Sequence, residues 1–364
     1  MKFKLSYVIV AIVVILHVVF CMFLFSDPNS KDEKSEESPE TVQETPQNVS
    51  DQGEDAPLIG PAPRPSPAQP SATSPRQAAD VGIAPFSSSF FRHDERALPS
   101  NINQMMAVVP TCAVVDLDGR RILYAKEPGA VRPIASITKM MTTYLAVKKM
   151  RASNGAITLG TRIKVSSAAS QIKERRVWLS PKETFTFEEL LKACLVHSAN
   201  DCAYLLAEFC GGGNEQAFVA EMNKEALALG CRNLQYYNAN GLPAAGGKEN
   251  CGTVLELAYL SLHLMKYPEI MKWTGVKMEY LRENDAAFVK RNNGPTMLTS
   301  SNKLLGKCRG VNGMKTGYTN KAGHCIVATC ERENRRIAVV VLGCNKDRDR
   351  IVSNLIEWAY AQLN

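Results

Sequence analysis

The stretch Arg132-Pro133-Ile134-Ala135-Ser136-Ile137-Thr138-Lys139-Met140-Met141-Thr142 sets a serine and a lysine three residues apart where a helix is expected to begin, at about 136–150. That spacing puts both side chains on one helical face, one turn apart. A serine hydroxyl is a poor nucleophile until a base takes its proton. A lysine can be that base when burial or a neighbouring cation lowers its pKa. The N-terminus of a helix also favours negative charge developing at the serine. Taken alone, this spacing is common and reads as an ordinary solvated helix face.

Two more elements change that reading. Thr186 with Glu189 forms a capping box that opens a helix over 187–196. Ser198-Ala199-Asn200 follows it, where the chain turns into a further helix over 201–209 that stops at Gly211-Gly212-Gly213. Singly, Ser198 and Asn200 read as helix caps. Lys315-Thr316-Gly317 opens an expected edge strand and, singly, reads as an exposed turn. The three stand in order, 62 and 117 residues apart, in matching local contexts. In that order and those contexts, chance does not account for all three.

Around them strand and helix signals alternate. Thr111–Asp116 and Arg121–Ala125 flank Asp118-Gly119 and predict a β-hairpin. Asn214 begins a helix ending at Gly230, and Thr253 with Glu256 opens another to about 265. Gly323–Glu331 and Arg335–Gly343 alternate like two antiparallel strands, and an amphipathic helix containing Ile351, Leu355, Trp358 and Leu363 closes the chain. Strands at both ends with helices between them predict an α+β fold. An antiparallel sheet would be flanked by helices, its first strands pairing with its last.

The chain from about 105 to 362 resembles the penicillin-binding D-alanyl-D-alanine carboxypeptidases. The resemblance rests on Arg132–Thr142, His197-Ser198-Ala199-Asn200-Asp201, Asn240-Gly241-Leu242, Lys315-Thr316-Gly317-Tyr318-Thr319 and Ala322-Gly323. It implies a β-lactamase/transpeptidase-like fold with no cofactor. It further implies that Ser136 attacks the carbonyl between two D-alanines of a peptidoglycan stem peptide and that Lys139 takes its proton. Ser198 would relay a proton to the leaving D-alanine, and Asn200 would hold Lys139 and the substrate amide. Lys315 would add positive potential, Thr316 would bond the terminal carboxylate, and the backbone N–H groups of Ser136 and Tyr318, beside Gly317, would form the oxyanion hole. Arg350, with Arg348 competing, lies about where the family places an arginine near that carboxylate. β-Lactams would acylate the same serine. In this chain Glu249-Asn250-Cys251-Gly252-Thr253 replaces the family's Ser/Thr-rich stretch. The chain also stops about 45 residues after the Lys-Thr-Gly strand begins, without the small second domain of the common two-domain members.

The parts outside this domain differ in composition. After Lys2 and Lys4, Leu5 to Phe25 is an apolar run of 21 residues with no small-x-small site at its end. About 20 helical residues span a bilayer core. Residues 1–25 therefore read as an uncleaved anchor, and the flanking lysines keep the N-terminus cytoplasmic. That predicts a single-pass protein of the cytoplasmic membrane with its catalytic domain on the periplasmic side. Residues 26–100 hold 12 of the 19 prolines, with 13 acidic and 6 basic residues. This composition predicts a disordered tether, with an apolar patch, Phe86 to Phe91, docking on the domain edge. Residues 101–364 form the catalytic domain.

The net charge of +7 is a cancellation, for residues 101–364 carry 35 basic and 23 acidic groups. That balance suits an anionic wall polymer or membrane surface. The absence of a basic run interleaved with aromatics argues against nucleic acid. Of the 11 cysteines, ten follow position 111. With no Cys-x-x-Cys or His-x-x-x-His spacing, no metal site is expected. An exported domain permits disulfides, and one or two are expected. His197 beside Ser198 is assigned a supporting place at most. The leading reading is a penicillin-sensitive D,D-carboxypeptidase. A D,D-endopeptidase acting on cross-links is the nearest alternative, with a β-lactamase and a non-catalytic wall-binding module behind it.

Overall fold

The computed structural model describes residues 82–363. The expected anchor at 5–25 and most of the tether lie outside these residues. Among the described residues no helix is long and apolar enough to cross a membrane.

The centre is a six-stranded sheet in the order Arg92–His93, Arg121–Lys126, Thr111–Asp116, Arg335–Cys344, Gly323–Arg332, Val311–Thr319. Every neighbouring pair is antiparallel except the first. The predicted hairpin forms, and Asp116 closes its turn by accepting from Gly119 N at 3.0 Å and from Arg121 Nη2 at 2.8 Å. The expected pairing of first strands with last is Val339 opposite Val114.

Arg335–Cys344 runs as a near-continuous apolar strand because both sheet faces are covered. Ile337, Val339 and Val341 face one core, with Leu355, Ile356 and Trp358 of the closing helix Arg348–Leu363. Ala338, Val340 and Leu342 face the other. This two-residue alternation divides the protein into two apolar layers.

The second core is a helical body around Lys139–Ala152, most of whose residues are buried. Asn200–Cys210, Glu215–Ala228, Val254–Leu264 and Pro268–Thr274 pack about it. The Thr186–Glu189 capping box forms with both halves. At Thr253 only half of the expected box forms. The Thr253 hydroxyl caps its helix, but the Glu256 carboxylate turns to Asn233, accepting from its backbone N at 2.8 Å and from Nδ2 at 3.1 Å.

The tether was expected to reach residue 100, but the ordered body starts earlier. Phe90 and Phe91 are buried and stack edge-on at 4.9 Å, with Tyr259 4.8 Å from Phe90. The Tyr259 hydroxyl donates to Ala84 O at 2.8 Å, and Phe86 N donates to Leu229 O at 2.8 Å. Gly230, at φ +80°, lets this segment approach, since a Cβ there would lie 2.3 Å from Phe86 O. Three phenylalanines bury enough apolar area to offset the ordering of a short segment. Phe91→Ala is expected to cost about 3–5 kcal/mol in urea unfolding. A loss under about 1 kcal/mol would mean the segment does not belong to the core.

The one or two expected disulfides do not form. All ten cysteines among the described residues are free thiols, nine of them buried. Cys112, Cys330 and Cys344 fill one apolar layer and Cys194, Cys202 and Cys325 the other. They behave as small core residues.

Candidate active site

Ser136 sits in a single 3₁₀ turn, Ala135–Thr138, that runs into the helix Lys139–Ala152. The preceding Ala135 is left-handed, with φ 47°. Such a conformation in a non-glycine residue persists only where its surroundings over-determine it. Here they do. Ile134 N donates to Asn250 O at 2.9 Å, Thr138 Oγ1 donates to Ala135 O at 2.7 Å, and Asn250 Nδ2 donates to Thr138 Oγ1 at 2.8 Å. The segment 249–253 thus staples the Ser136 turn. Glu249 is part of it, accepting from Thr319 Oγ1 at 2.8 Å.

Lys139 is fully buried, and its Nζ lies 3.1 Å from Ser136 Oγ. The same nitrogen is 2.6 Å from Asn200 Oδ1 and 2.5 Å from Asn240 O. An uncharged amine has two N–H donors and one lone pair. Two carbonyl oxygens, which can only accept, take the two donors. The lone pair is then left for the Ser136 hydroxyl. Burial, with the Arg175 charge adding to it, brings the Lys139 pKa down to about 7. The expected one-turn pairing is present, completed by a backbone carbonyl that the sequence reading had not assigned.

Neither Ser198 nor Asn200 caps the start of the following helix with its side chain. Ala199 is the N-cap of Asn200–Cys210, and no side chain caps it. The helix Phe187–Lys192 widens into a π turn, Ala193–His197, and Ser198 follows in the left-handed region at φ 66°. This turn brings Ser198 Oγ to 2.8 Å from Lys315 Nζ. The His197 ring accepts from Thr299 N at 3.3 Å, and burial pushes its pKa down to about 4, so it is uncharged at neutral pH.

Lys315, Thr316 and Gly317 lie within the strand Val311–Thr319 rather than at its start, and this strand is the sheet's edge as expected. Lys315 and Thr316 are buried, and burial, then the charge of Lys139, holds the Lys315 amine well below its usual pKa. Thr316 Oγ1 is 2.5 Å from Ser301 Oγ. Gly317 allows the strand against the Ser136 turn, for a Cβ there would lie 2.8 Å from Ile134 O and 3.0 Å from Ser136 N. Gly241, at φ +86°, does the same from the other side, where a Cβ would lie 2.1 Å from Ala135 O.

Ser136, Ser198, Asn200, Thr316, Gly317 and Tyr318 open into one cleft of about 630 Å³. Arg348 and Arg350 also line it. Arg348 donates to Asp349 at 2.6 Å and to Cys325 O at 3.2 Å. Arg350 is exposed, with Asp347 at 4.0 Å, and among the described residues no hydrogen bond occupies its guanidinium. Among the described residues no cluster of His, Cys, Asp or Glu is arranged to hold a metal ion.

A family model described as D-alanyl-D-alanine carboxypeptidase matches residues 102–346. The D-alanyl-D-alanine carboxypeptidase DacF of Bacillus subtilis is 32% identical over 255 residues, which cover 69% of this chain and 62% of that protein. The match therefore spans somewhat less than two thirds of that relative. The D-alanyl-D-alanine endopeptidase of Escherichia coli is 29% identical over 234 residues, covering 63% of this chain and 69% of that protein. Among solved structures, penicillin-binding protein D2 from Listeria monocytogenes in its ampicillin-bound form has a TM-score of 0.59 at 27% identity, covering 69% of this chain and 96% of that one.

Proposed function

The chain belongs to the D-alanyl-D-alanine carboxypeptidase family, and from that premise we propose that it removes the terminal D-alanine from peptidoglycan stem peptides through an acyl-enzyme on Ser136. The observation that carries this reading is the Lys139 amine, with both donors directed to carbonyls and Ser136 Oγ 3.1 Å away. As Ser136 Oγ bonds to the scissile carbonyl carbon, its proton passes to Lys139 Nζ. The oxyanion is met by the N–H groups of Ser136 and Tyr318. The C–N bond then breaks as the leaving amine takes the proton that Lys139 received, relayed through the Ser198 hydroxyl, which Lys315 holds. Water then adds to the acyl carbon as Lys139 takes one of its protons, and collapse of that intermediate breaks the ester bond as Lys139 returns the proton to Ser136 Oγ.

Thr316 and Arg350 meet the terminal carboxylate in this reading, with Lys315 supplying charge. Arg350 is preferred to Arg348 because its guanidinium has donors to spare. Residues 5–25 anchor the protein in the cytoplasmic membrane, and the catalytic domain works on the periplasmic side. β-Lactams acylate Ser136, so a penicillin is the direct probe.

A D,D-endopeptidase reading is favoured by one observation. Lys303 and Lys346 line the same cleft as Thr316, and its volume of about 630 Å³ leaves room for a leaving group larger than alanine. One paired assay separates the two. Purified protein is expected to release D-alanine from a pentapeptide and to carry labelled penicillin on Ser136, with Ser136→Ala doing neither. Cleavage of cross-linked dimers without D-alanine release would favour the endopeptidase, and an unlabelled Ser136 would refute serine acylation.

A further inference from the structure

Arg175 is a charged side chain of the cleft that the scheme above leaves without a role. It lies in the loop between the helix Ser167–Gln171 and the strand Thr184–Thr186. Its Nε donates to His197 O at 2.5 Å and its Nη2 to Thr299 O at 3.2 Å. Its own carbonyl accepts from Asn200 N at 2.9 Å. The loop is pinned behind it by the Asp201 carboxylate, which accepts from Val177 N and Leu179 N at 3.1 Å each. One guanidinium therefore joins three segments of the site. It ties the residue before the left-handed Ser198 to the segment that leads into Ser301, the hydroxyl partner of Thr316. Its backbone holds the first residue of the Asn200 helix.

These bonds are directed to carbonyls, which leave the positive charge uncancelled. Arginine stays protonated at any pH the reaction meets. The groups facing Lys139 from the elements around it are few. Cys194 and Cys202 are buried thiols kept neutral by that burial, and His197 is neutral. Asp201 is the nearby carboxylate, and backbone N–H groups of Val177, Leu179 and Cys202 occupy its oxygens. Lys315 is a second buried amine, facing Arg348 as well. The Arg175 charge is felt at both amines, at Lys139 after burial and at Lys315 after burial and Lys139.

We propose that Arg175 is a positioning residue for acylation: its guanidinium fixes the turn that presents Ser198, its backbone carbonyl holds the Asn200 that bonds Lys139, and its permanent charge across that link disfavours a second cation there. The inference rests on the acylation reading above and names what keeps its base available. A serine hydroxyl needs a base with a lone pair, and a cation that cannot lose its own proton is a stable source of that bias.

The test is the pH profile of the rate at which a fluorescent penicillin labels the full chain, in the unsubstituted protein and in Arg175→Lys, Arg175→Gln and Arg175→Met. Two neutral variants are made so that a folding failure in one, seen in a thermal melt, leaves the other. The unsubstituted profile is expected to rise through about 7. Arg175→Lys keeps the charge and should keep the limb, at a lower plateau if the carbonyl bonds are strained. The neutral variants should move the limb to higher pH, with labelling at pH 6 falling about tenfold for each unit moved and recovering in alkali. A loss that is uniform across pH, with the limb in place, would reduce Arg175 to a structural tie and overturn the electrostatic claim. A limb moved equally by Arg175→Lys would also overturn it. An unsubstituted protein unlabelled at every pH overturns the acylation reading and this inference with it. A labelled protein with an unmoved limb overturns this inference alone.

Discussion

Lys139→Arg is expected to slow the acylation of Ser136 by about 10²–10⁴-fold at neutral pH, although it keeps a cation in place. The side chain at 139 is fully buried, and its nitrogen is bracketed by Asn200 Oδ1, Asn240 O and Ser136 Oγ. If its task were to attract an anion or to bridge the two carbonyls, arginine would serve. If its task is to take a proton, arginine fails, because a guanidinium has no lone pair to offer and does not deprotonate. The sign of the pH dependence follows from the same group. Lys139 is brought down to about 7 by burial, so its neutral fraction, and with it the rate, grows as pH rises through that value. Below about pH 6 each unit should cost close to tenfold. The measurements are penicillin labelling and D-alanine release, with a thermal melt to account for a larger side chain in a closed site, a strain of about 1–3 kcal/mol. Labelling by Lys139→Arg within a few-fold of the unsubstituted rate would remove Lys139 from the role of base.

The sequence showed the motif residues more fully than the geometry that makes them a site. Ser136, Lys139, Ser198, Asn200 and Lys315 stood out because side-chain chemistry at fixed spacing leaves a local mark. Asn240 contributes a backbone carbonyl to Lys139, a task that leaves no side-chain signature. Arg175 acts across long sequence separations, reaching His197 O and Thr299 O, and in one dimension it is a charge in a basic loop. The left-handed Ala135 and Ser198 were equally hidden, since alanine and serine do not advertise φ above zero. Ala135 precedes Ser136 and Ser198 itself lines the cleft, where backbone strain tends to collect.

The fold was legible where periodicity was strong. The hairpin, the paired strands and the closing helix follow from two- and 3.6-residue repeats, and the structure has each. The docking of Phe86–Phe91 stood out as an apolar patch, but the packing of the residues beside it did not, because composition averages over a window and proline-rich sequence runs directly into the patch. The cysteines were misjudged for another reason. Compartment allows disulfides, but pairing requires two thiols in one geometry. Here several thiols share each apolar layer, yet among the described residues none is bonded to another.

Gly317→Ala is expected to lower kcat/KM for D-alanine release by about 10²–10³-fold, the loss of one oxyanion donor. Adding one methyl group to this strand has no backbone penalty of its own, for Gly317 is not left-handed. Its cost is steric and local. The new Cβ would lie 2.8 Å from Ile134 O, 3.0 Å from Ser136 N and 3.1 Å from Ala135 Cβ. Neither side can yield easily. The Ser136 turn is held by Asn250, whose O accepts from Ile134 N and whose Nδ2 donates to Thr138 Oγ1. The strand is held in register by Gly317 opposite Cys325 and Thr316 opposite Ile326. A shift of a few tenths of an ångström therefore falls on the relation between Ser136 N and Tyr318 N, the two donors proposed to converge on one oxygen. The variant should fold, with Lys139 still beside Ser136, and should fail at stabilising charge rather than at proton transfer. Its pH limb should accordingly stay near 7 while its plateau falls, the opposite of what neutral substitutions at Arg175 should do. Gly129→Ala is the control, since nothing lies within 4 Å of a Cβ at that position. A Gly317→Ala protein as active as Gly129→Ala would show that the two N–H groups do not form the hole. A limb that moved with the plateau would mean that the added methyl had disturbed Lys139 instead.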